Sequence, residues 1–385
     1  MNNKYDLIIV GGGVLGTFHA FHALKKGFSV AILEKNSKPQ GATVRNFGQV
    51  VPSGMNQKWQ NYGRKSLEIY KSIQQEFDIS IRQNGTIYIA SNDEEVQLIE
   101  ELHQINKNNN YSSRILTKQQ CLEKYNGLKS SYCKAGLFFP EEVTVEPTKM
   151  IHALHSFMIK TLKATIIYNT TIVNVEEQNE ETVAITSEGK KYSATKTIIC
   201  NGSDFKALFP IIYNQSDLIV SKLQIMQTKP QKNYKLNGSI LAGLTIRRYE
   251  AFEECASWKT IKANENPESF ENKFGVHILF KQATDGSVIL GDSHEYATAK
   301  EIDNLGFDLN MDIDNFMIKE AKKIIDLPTY EIQQRWAGFY SQCKNTDIFE
   351  RSIGKNIHII TGIGGKGMTG SAGFSEENLQ KILNN

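Results

Sequence analysis

The chain has 385 residues, 40% of them hydrophobic, enough to bury two domains or one large composite core. Lysine and arginine total 44 against 42 acidic residues, and a net charge of +2 sets up no field that would gather nucleic acid or an anionic membrane. Five widely spaced cysteines without a CxxC pair (Cys121, Cys133, Cys200, Cys255, Cys343) fit reduced thiols better than a disulfide or zinc framework, and no apolar run approaches a membrane span, so the cytoplasm is the expected compartment.

Tyr5 to Val10 is a short apolar run of β type, too short for a signal segment, and GGGVLG follows it directly. A helical pattern then runs through Ala20, Ala23 and Leu24 until Gly27 ends it. Gly11, Gly13 and Gly16 have the GxGxxG spacing. The first permits a tight turn, the second lets the backbone approach a pyrophosphate, and the third lets the helix pack on the strand, with Val14 and Leu15 at the helix start facing the phosphates. Ser29 to Leu33 forms a second strand that delivers Glu34, followed by Lys35, where a carboxylate accepts both ribose hydroxyls. Strand, glycine turn, helix, strand and acid in this order point to a dinucleotide, and NAD and FAD both fit so far.

The continuation Gly41-Ala-Thr-Val-Arg-Asn-Phe-Gly48 favours FAD, because a segment after the second strand can reach back along an extended dinucleotide. Here the sequence resembles the D-amino-acid oxidase, glycine oxidase and sarcosine oxidase superfamily. The resemblance implies that Thr43, Asn46, Phe47, Gly48 and Gln49 lie on the cofactor. Thr165 to Asn201 reads as three strands with polar turns; the resemblance makes them the meander that closes the FAD domain, with Ile172 at the adenine. Ile198 to Gly202 would then return beside the first strand, which places Asn201 and Gly202 at the cofactor.

Arg82 to Ala90, Leu137 to Pro147, Leu218 to Thr228 and Gly275 to Gly291 are rich in β formers and look like a second sheet. The expected fold is therefore α/β, a Rossmann-like FAD-binding domain interleaved with a mixed β-sheet substrate domain. Residues 1–80, 147–215 and 331–385 are assigned to the first and 81–146 and 216–330 to the second. Asn356 to Ile360 reads as a strand leading into the glycine loop Thr361 to Thr369 and a terminal helix, an arrangement that turns backbone N–H groups toward a ligand. By resemblance that ligand is the flavin pyrimidine edge, contacted by Gly364, Gly365, Lys366, Gly367, Met368 and Thr369, with Gly338 close by.

Members of this superfamily that oxidise α-amino acids hold the carboxylate with an arginine just after a WAG-type segment, but here Trp336-Ala-Gly338 continues as Phe339-Tyr340-Ser341. Cys343 lacks the spacing to Asp347 at which sarcosine-oxidase-like members attach their flavin, which implies non-covalent FAD. A closer similarity in VRNFGQVVPSGM (44–55), DGSVILGDSHEY (285–296) and TGIGGKGMT (361–369) is to the phosphonate-catabolism-associated FAD oxidoreductases. That family implies oxidation of an aminophosphonate, such as N-methyl-2-aminoethylphosphonate, to phosphonoacetaldehyde and an amine. The electron acceptor is O2 or another oxidant, and the alternative is a glycine, sarcosine or D-amino-acid oxidase or dehydrogenase.

A phosphonate dianion calls for two or three cationic groups at one end of the pocket. Arg45, Lys366 and Arg335 are the expected trio, and Arg247 and Arg248 read as a solvated pair. His294, like His277, is a candidate to bond the substrate or accept a proton near neutral pH, and Tyr340 and Trp336 are candidates to wall the pocket. No metal is expected, because His19, His152 and His155 lack a matching set of carboxylates or cysteines.

Overall fold

The computed structural model describes residues 4–384, organised around two sheets and the helices that cover them. The first sheet is built on Lys4–Val10, whose inner half is fully apolar and buried. It pairs in parallel with Val30–Leu33 on one side and Lys191–Ile199 on the other, and Thr165–Ile167 and Ile357–Thr361 extend the parallel array outward. Such a sheet buries both faces, which explains its unbroken Val, Ile and Leu runs. Ile198 stands opposite Ile9, beside the first strand as its apolar character implied.

The run from Thr165 holds two strands in place of the expected one. Thr165–Ile167 belongs to the parallel array, and Ile172–Gln178 opens an antiparallel meander with Glu181–Thr186 and Lys191–Ile199. The polar Tyr168-Asn-Thr-Thr171 breaks it, with Asn169 in the left-handed region at φ 52° and Thr170 N donating to Glu34 O.

The second sheet is mixed: Ser239–Leu241 and Thr86–Ala90 run parallel, and its other pairings are antiparallel. It contains the four β-rich segments read from the sequence, and adds Arg114–Thr117, Ser239–Leu241, Glu295–Thr298 and Ile332–Cys343. Ile332–Cys343 falls within 331–385, the stretch assigned to the cofactor domain, yet it pairs with Leu218–Thr228 along the whole length of that strand. Its sequence IQQRWAGFYSQC has an apolar centre flanked by polar residues, a pattern that gives no indication of which sheet will take it.

The terminal helix Gly367–Asn384 packs against Val14–Lys25 and Gln57–Glu76. A Cβ on Gly373 would stand 2.2 Å from Tyr62 O and one on Gly370 2.8 Å from the Trp59 ring, so the helices meet at backbone distance. Tyr70 Oη donates to Met368 O at 2.9 Å and Thr369 Oγ1 accepts from Val51 N at 3.0 Å, which fixes the start of the terminal helix. No helix among the described residues is long and apolar enough to cross a membrane.

The Asn-rich stretch 107–113 turns at Asn110, but Tyr111 within it is buried and donates to Glu142 Oε1 at 2.9 Å. Glu142 is wholly buried, accepts also from Ser53 N at 2.8 Å, and has no partner at Oε2. Burial raises its carboxyl from 4.5 to about 7. The unfolded chain therefore releases this proton first, and Glu142 removes stability as the pH rises from about 4.5 to 7. Glu142→Gln keeps an acceptor for Ser53 and Tyr111 without the ionisation. Its thermal midpoint is expected to vary less than the wild type's across that window and to exceed it above pH 7, as read by calorimetry in a pH series.

Candidate functional site

A groove of about 470 Å³ runs along the C-terminal ends of the parallel strands, from Glu34 and Ile172 past the glycine turn to Gly364 and Met368. Gly11 sits at φ 107°, and a Cβ there would stand 2.3 Å from Cys200 O, so only glycine lets the turn pass beneath the returning strand. Gly16 does not border the groove; a Cβ on it would meet Gly11 O at 2.3 Å, which gives it the helix-on-strand packing role. Gly13 caps Val14–Lys25 without a side-chain hydrogen bond, leaving the helix N-terminus open to the groove.

Glu34 is buried, with Oε2 accepting from Gly12 N at 2.8 Å and Oε1 from Asn36 N at 2.9 Å, so the carboxylate is oriented before any ligand arrives. Thr43 Oγ1 accepts from Val14 N at 2.9 Å, and Lys35 is paired with Asp204 at 2.6 Å. Val14, Leu15, Asn201, Gly202 and Gly367 also line the groove. Glycine where the backbone must approach, an acid at the second strand and an uncapped helix start fit an extended dinucleotide.

A second cavity of about 660 Å³ adjoins the groove and shares Asn46, Tyr340, Ile363, Gly364, Gly365 and Met368 with it. Phe47, Gln49, Lys366 and Thr369 face this chamber. Asn46 folds its own loop, donating to Thr43 O at 2.7 Å and accepting from Gly48 N at 2.7 Å. Gly48 and Gly338 border neither cavity. A Cβ on Gly48 would meet Val145 O at 2.2 Å, and one on Gly338 would meet the Tyr340 ring at 2.8 Å, so both serve chain crossings.

The three expected cations do not converge. Arg45 donates to Gln40 O at 2.8 Å and Ala337 O at 3.2 Å, while its own carbonyl accepts from Trp336 Nε1 and Tyr340 Oη. It is a clamp between the loop and the strand Ile332–Cys343 and lines neither cavity. Arg335 is ion-paired to Asp314, since neighbouring strand residues face opposite ways and Trp336 takes the inward side. Lys366 alone reaches the chamber, where Glu250 at 2.6 Å and Asp347 at 3.7 Å neutralise it. Trp336 also lies off the chamber lining, whereas Tyr340 walls both cavities, and burial keeps its phenol protonated far above the usual range.

Arg248, expected to be solvated, lines the chamber instead. Its neighbour Arg247 turns away to Glu94, Glu95 and Glu265, whereas Arg248 donates to Tyr296 Oη at 2.8 Å and forms no ion pair among the described residues. His277 and His294 are also at the wall, and between them stands Asp292, which the sequence reading does not single out. A carboxylate ending the apolar run Ser287-Val-Ile-Leu-Gly291 is the available signal.

Burial and the nearby Arg248 push His294 down to about 3, so it stays neutral through physiological pH and does not accept a proton there. His277 Nε2 lies 2.5 Å from Asp292 Oδ1. His277, Asp292 and His294 offer ligand atoms within 4.8 Å of one another, close enough to suggest a metal site. The Arg248 cation acts on the same carboxylate and opposes a metal there, and the His277–Asp292 contact is that of a histidine braced on a carboxylate. For the groove, Glu34→Ala is expected to weaken FAD binding by about 10-fold or more, the effect of losing a charge-assisted hydrogen bond, measured by titrating apoprotein with FAD.

The chain is similar to one of the subunits of the opine oxidase of Rhizobium meliloti, at 23% identity covering 87% of this chain and 82% of that protein. Among solved structures it is similar to L-proline dehydrogenase from P. horikoshii, with a TM-score of 0.80, 18% identity and coverage of 100% and 94%. It is also similar to glycine oxidase from Geobacillus kaustophilus, with a TM-score of 0.77, 16% identity and coverage of 99% and 95%. The family model described as "DAO: FAD dependent oxidoreductase" matches residues 6–377, so this chain belongs to the DAO family of FAD-dependent oxidoreductases, with FAD as its cofactor.

Proposed function

We propose that this enzyme oxidises the carbon–nitrogen bond of a small amine carrying an anionic group, with an aminophosphonate such as N-methyl-2-aminoethylphosphonate as the substrate. The observation that carries the reading is Arg248, a guanidinium on the chamber wall that forms no ion pair with a carboxylate among the described residues. Such a group binds a phosphonate or carboxylate through paired, charge-assisted hydrogen bonds. The similar proteins named for glycine and L-proline support an amine, and Phe339 stands where an amino-acid carboxylate's arginine would be expected.

FAD held without a covalent link supplies the two-electron acceptor for a hydride from the carbon next to nitrogen. The chain's part is to position and to exclude water. Arg248 and Tyr296 on the chamber wall anchor the anion, while Tyr340 and Met368 wall the part shared with the groove and Phe47 adds to the chamber lining. The loop at Gly364 and the N-terminus of Gly367–Asn384 would offer positive backbone dipole to a reduced, negatively charged flavin held there. Water then hydrolyses the released imine to phosphonoacetaldehyde and an amine, and O2 or another acceptor regenerates the oxidised enzyme.

Anaerobic mixing with N-methyl-2-aminoethylphosphonate is expected to bleach the flavin, and glycine, sarcosine and D-alanine to bleach it far more slowly. Bleaching by the amino acids alone would replace the aminophosphonate with a glycine, sarcosine or D-amino-acid substrate. Arg248→Met is expected to raise KM for the aminophosphonate by about 10-fold or more, the equivalent of one charged hydrogen-bonded contact, with FAD content unchanged.

A further inference from the structure

The chamber has an acidic feature besides its basic one. Asp292 ends the strand Val288–Gly291, is 5% exposed, and reaches the wall of the chamber that also carries Arg248. Its backbone carbonyl accepts from His277 N at 3.0 Å and Oδ1 lies 2.5 Å from His277 Nε2, so the carboxylate is held from two directions. That bracing occupies Oδ1, whereas no donor among the described residues hydrogen-bonds to Asp292 Oδ2, and His277 Nδ1 has no partner either. A buried carboxylate with an open valence ordinarily finds a cation or a donor. Arg248 bears on Asp292 through space without pairing with it, so the two opposite charges stand apart on one wall.

We propose that Asp292, braced by His277, binds the ammonium group of the substrate while Arg248 binds its anion, so that the chamber selects a zwitterion. This rests on the reading of the enzyme as an amine oxidoreductase and names the group that recognises the nitrogen. The charged and titratable groups facing Asp292 are His277, His294, Arg248, Tyr249 and Tyr340. Despite the cost of burial, His277 and Arg248 hold Asp292 below the usual carboxylate range, and it is ionised at neutral pH. His294 stays neutral there, and burial keeps the protons on Tyr249 and Tyr340, which leaves Asp292 as the anion of the group.

Asp292 has a signed effect on the pH profile. A hydride leaves only from a neutral amine, and a neighbouring carboxylate favours the ammonium form. The rate of anaerobic bleaching therefore rises with pH as the bound amine loses its proton to solvent, and removing the carboxylate moves that rise to lower pH. A residue that only supports the fold would not move it in this direction.

The test compares wild type, Asp292→Asn and Arg248→Met as FAD-loaded proteins. Binding of N-methyl-2-aminoethylphosphonate and of ethylphosphonate is read from the flavin absorbance shift, and the bleaching rate from a pH series with the amine. Asp292→Asn is expected to weaken the amine by about 10-fold or more at neutral pH, to leave ethylphosphonate within about 2-fold, and to shift the bleaching limb to lower pH. Arg248→Met is expected to weaken both ligands. Equal losses of both ligands in Asp292→Asn, no loss of either, or a limb displaced to higher pH, as for a lost base, would overturn the proposal. Failure of the aminophosphonate to bind or bleach wild type would instead remove the substrate reading; the comparison is then made with sarcosine and acetate, and lack of wild-type bleaching by any amine overturns both.

Discussion

The long antiparallel pairing of Ile332–Cys343 with Leu218–Thr228 is the constraint on which the site depends. The strand lies in the second sheet along its length, and toward its C-terminal end it presents Tyr340 and Ser341 to the groove. Ser341 Oγ contacts Thr361 Oγ1 at 3.2 Å, and Thr361 Oγ1 donates to Gly202 O at 2.8 Å, so the strand is bonded into the end of the first sheet. Trp336 and Tyr340 both donate to Arg45 O from the same face, which pins the loop after Glu34. Shifting the register by one residue would reverse every one of these contacts.

Around that joint the glycines mark places where backbones cross. Gly11 under Cys200, Gly48 against Val145 and Gly373 against Tyr62 each leave less than 2.5 Å for a Cβ. Of the three, Gly11 lines the groove, and the other two set how closely the stretches around it pack. A substitution at Gly11 therefore acts through the geometry of the groove as well as through local strain.

In the chamber, charge is distributed by pairing. Lys366 and Arg335 look equally available in the sequence, but acidic neighbours neutralise both, and Arg45 is spent on backbone carbonyls. Arg248, without an ion pair among the described residues, and Asp292, braced by His277, are left lining the cavity. Unmatched charge in a concave site distinguishes recognition from structural support, and it requires knowing where every partner lies.

Much of the nucleotide groove was legible because its signals are local. GGGVLG, Glu34 and the loop from Gly362 to Thr369 each combine a short motif with the strand that precedes it, and a strand's C-terminal end fixes where such a motif points. The α/β class and the mixed second sheet followed from apolar runs whose length and composition are also local. The chamber was not legible, because its identity lies in which side chains lack a partner. Arg247 and Arg248 are adjacent and chemically identical, yet one meets three carboxylates and the other a cavity. The sequence by itself determined an FAD-dependent oxidoreductase whose glycine turn and distant glycine loop each follow a strand of the first sheet. Only the tertiary structure decided which charges remain free to meet a substrate, because pairing depends on neighbours far apart along the chain.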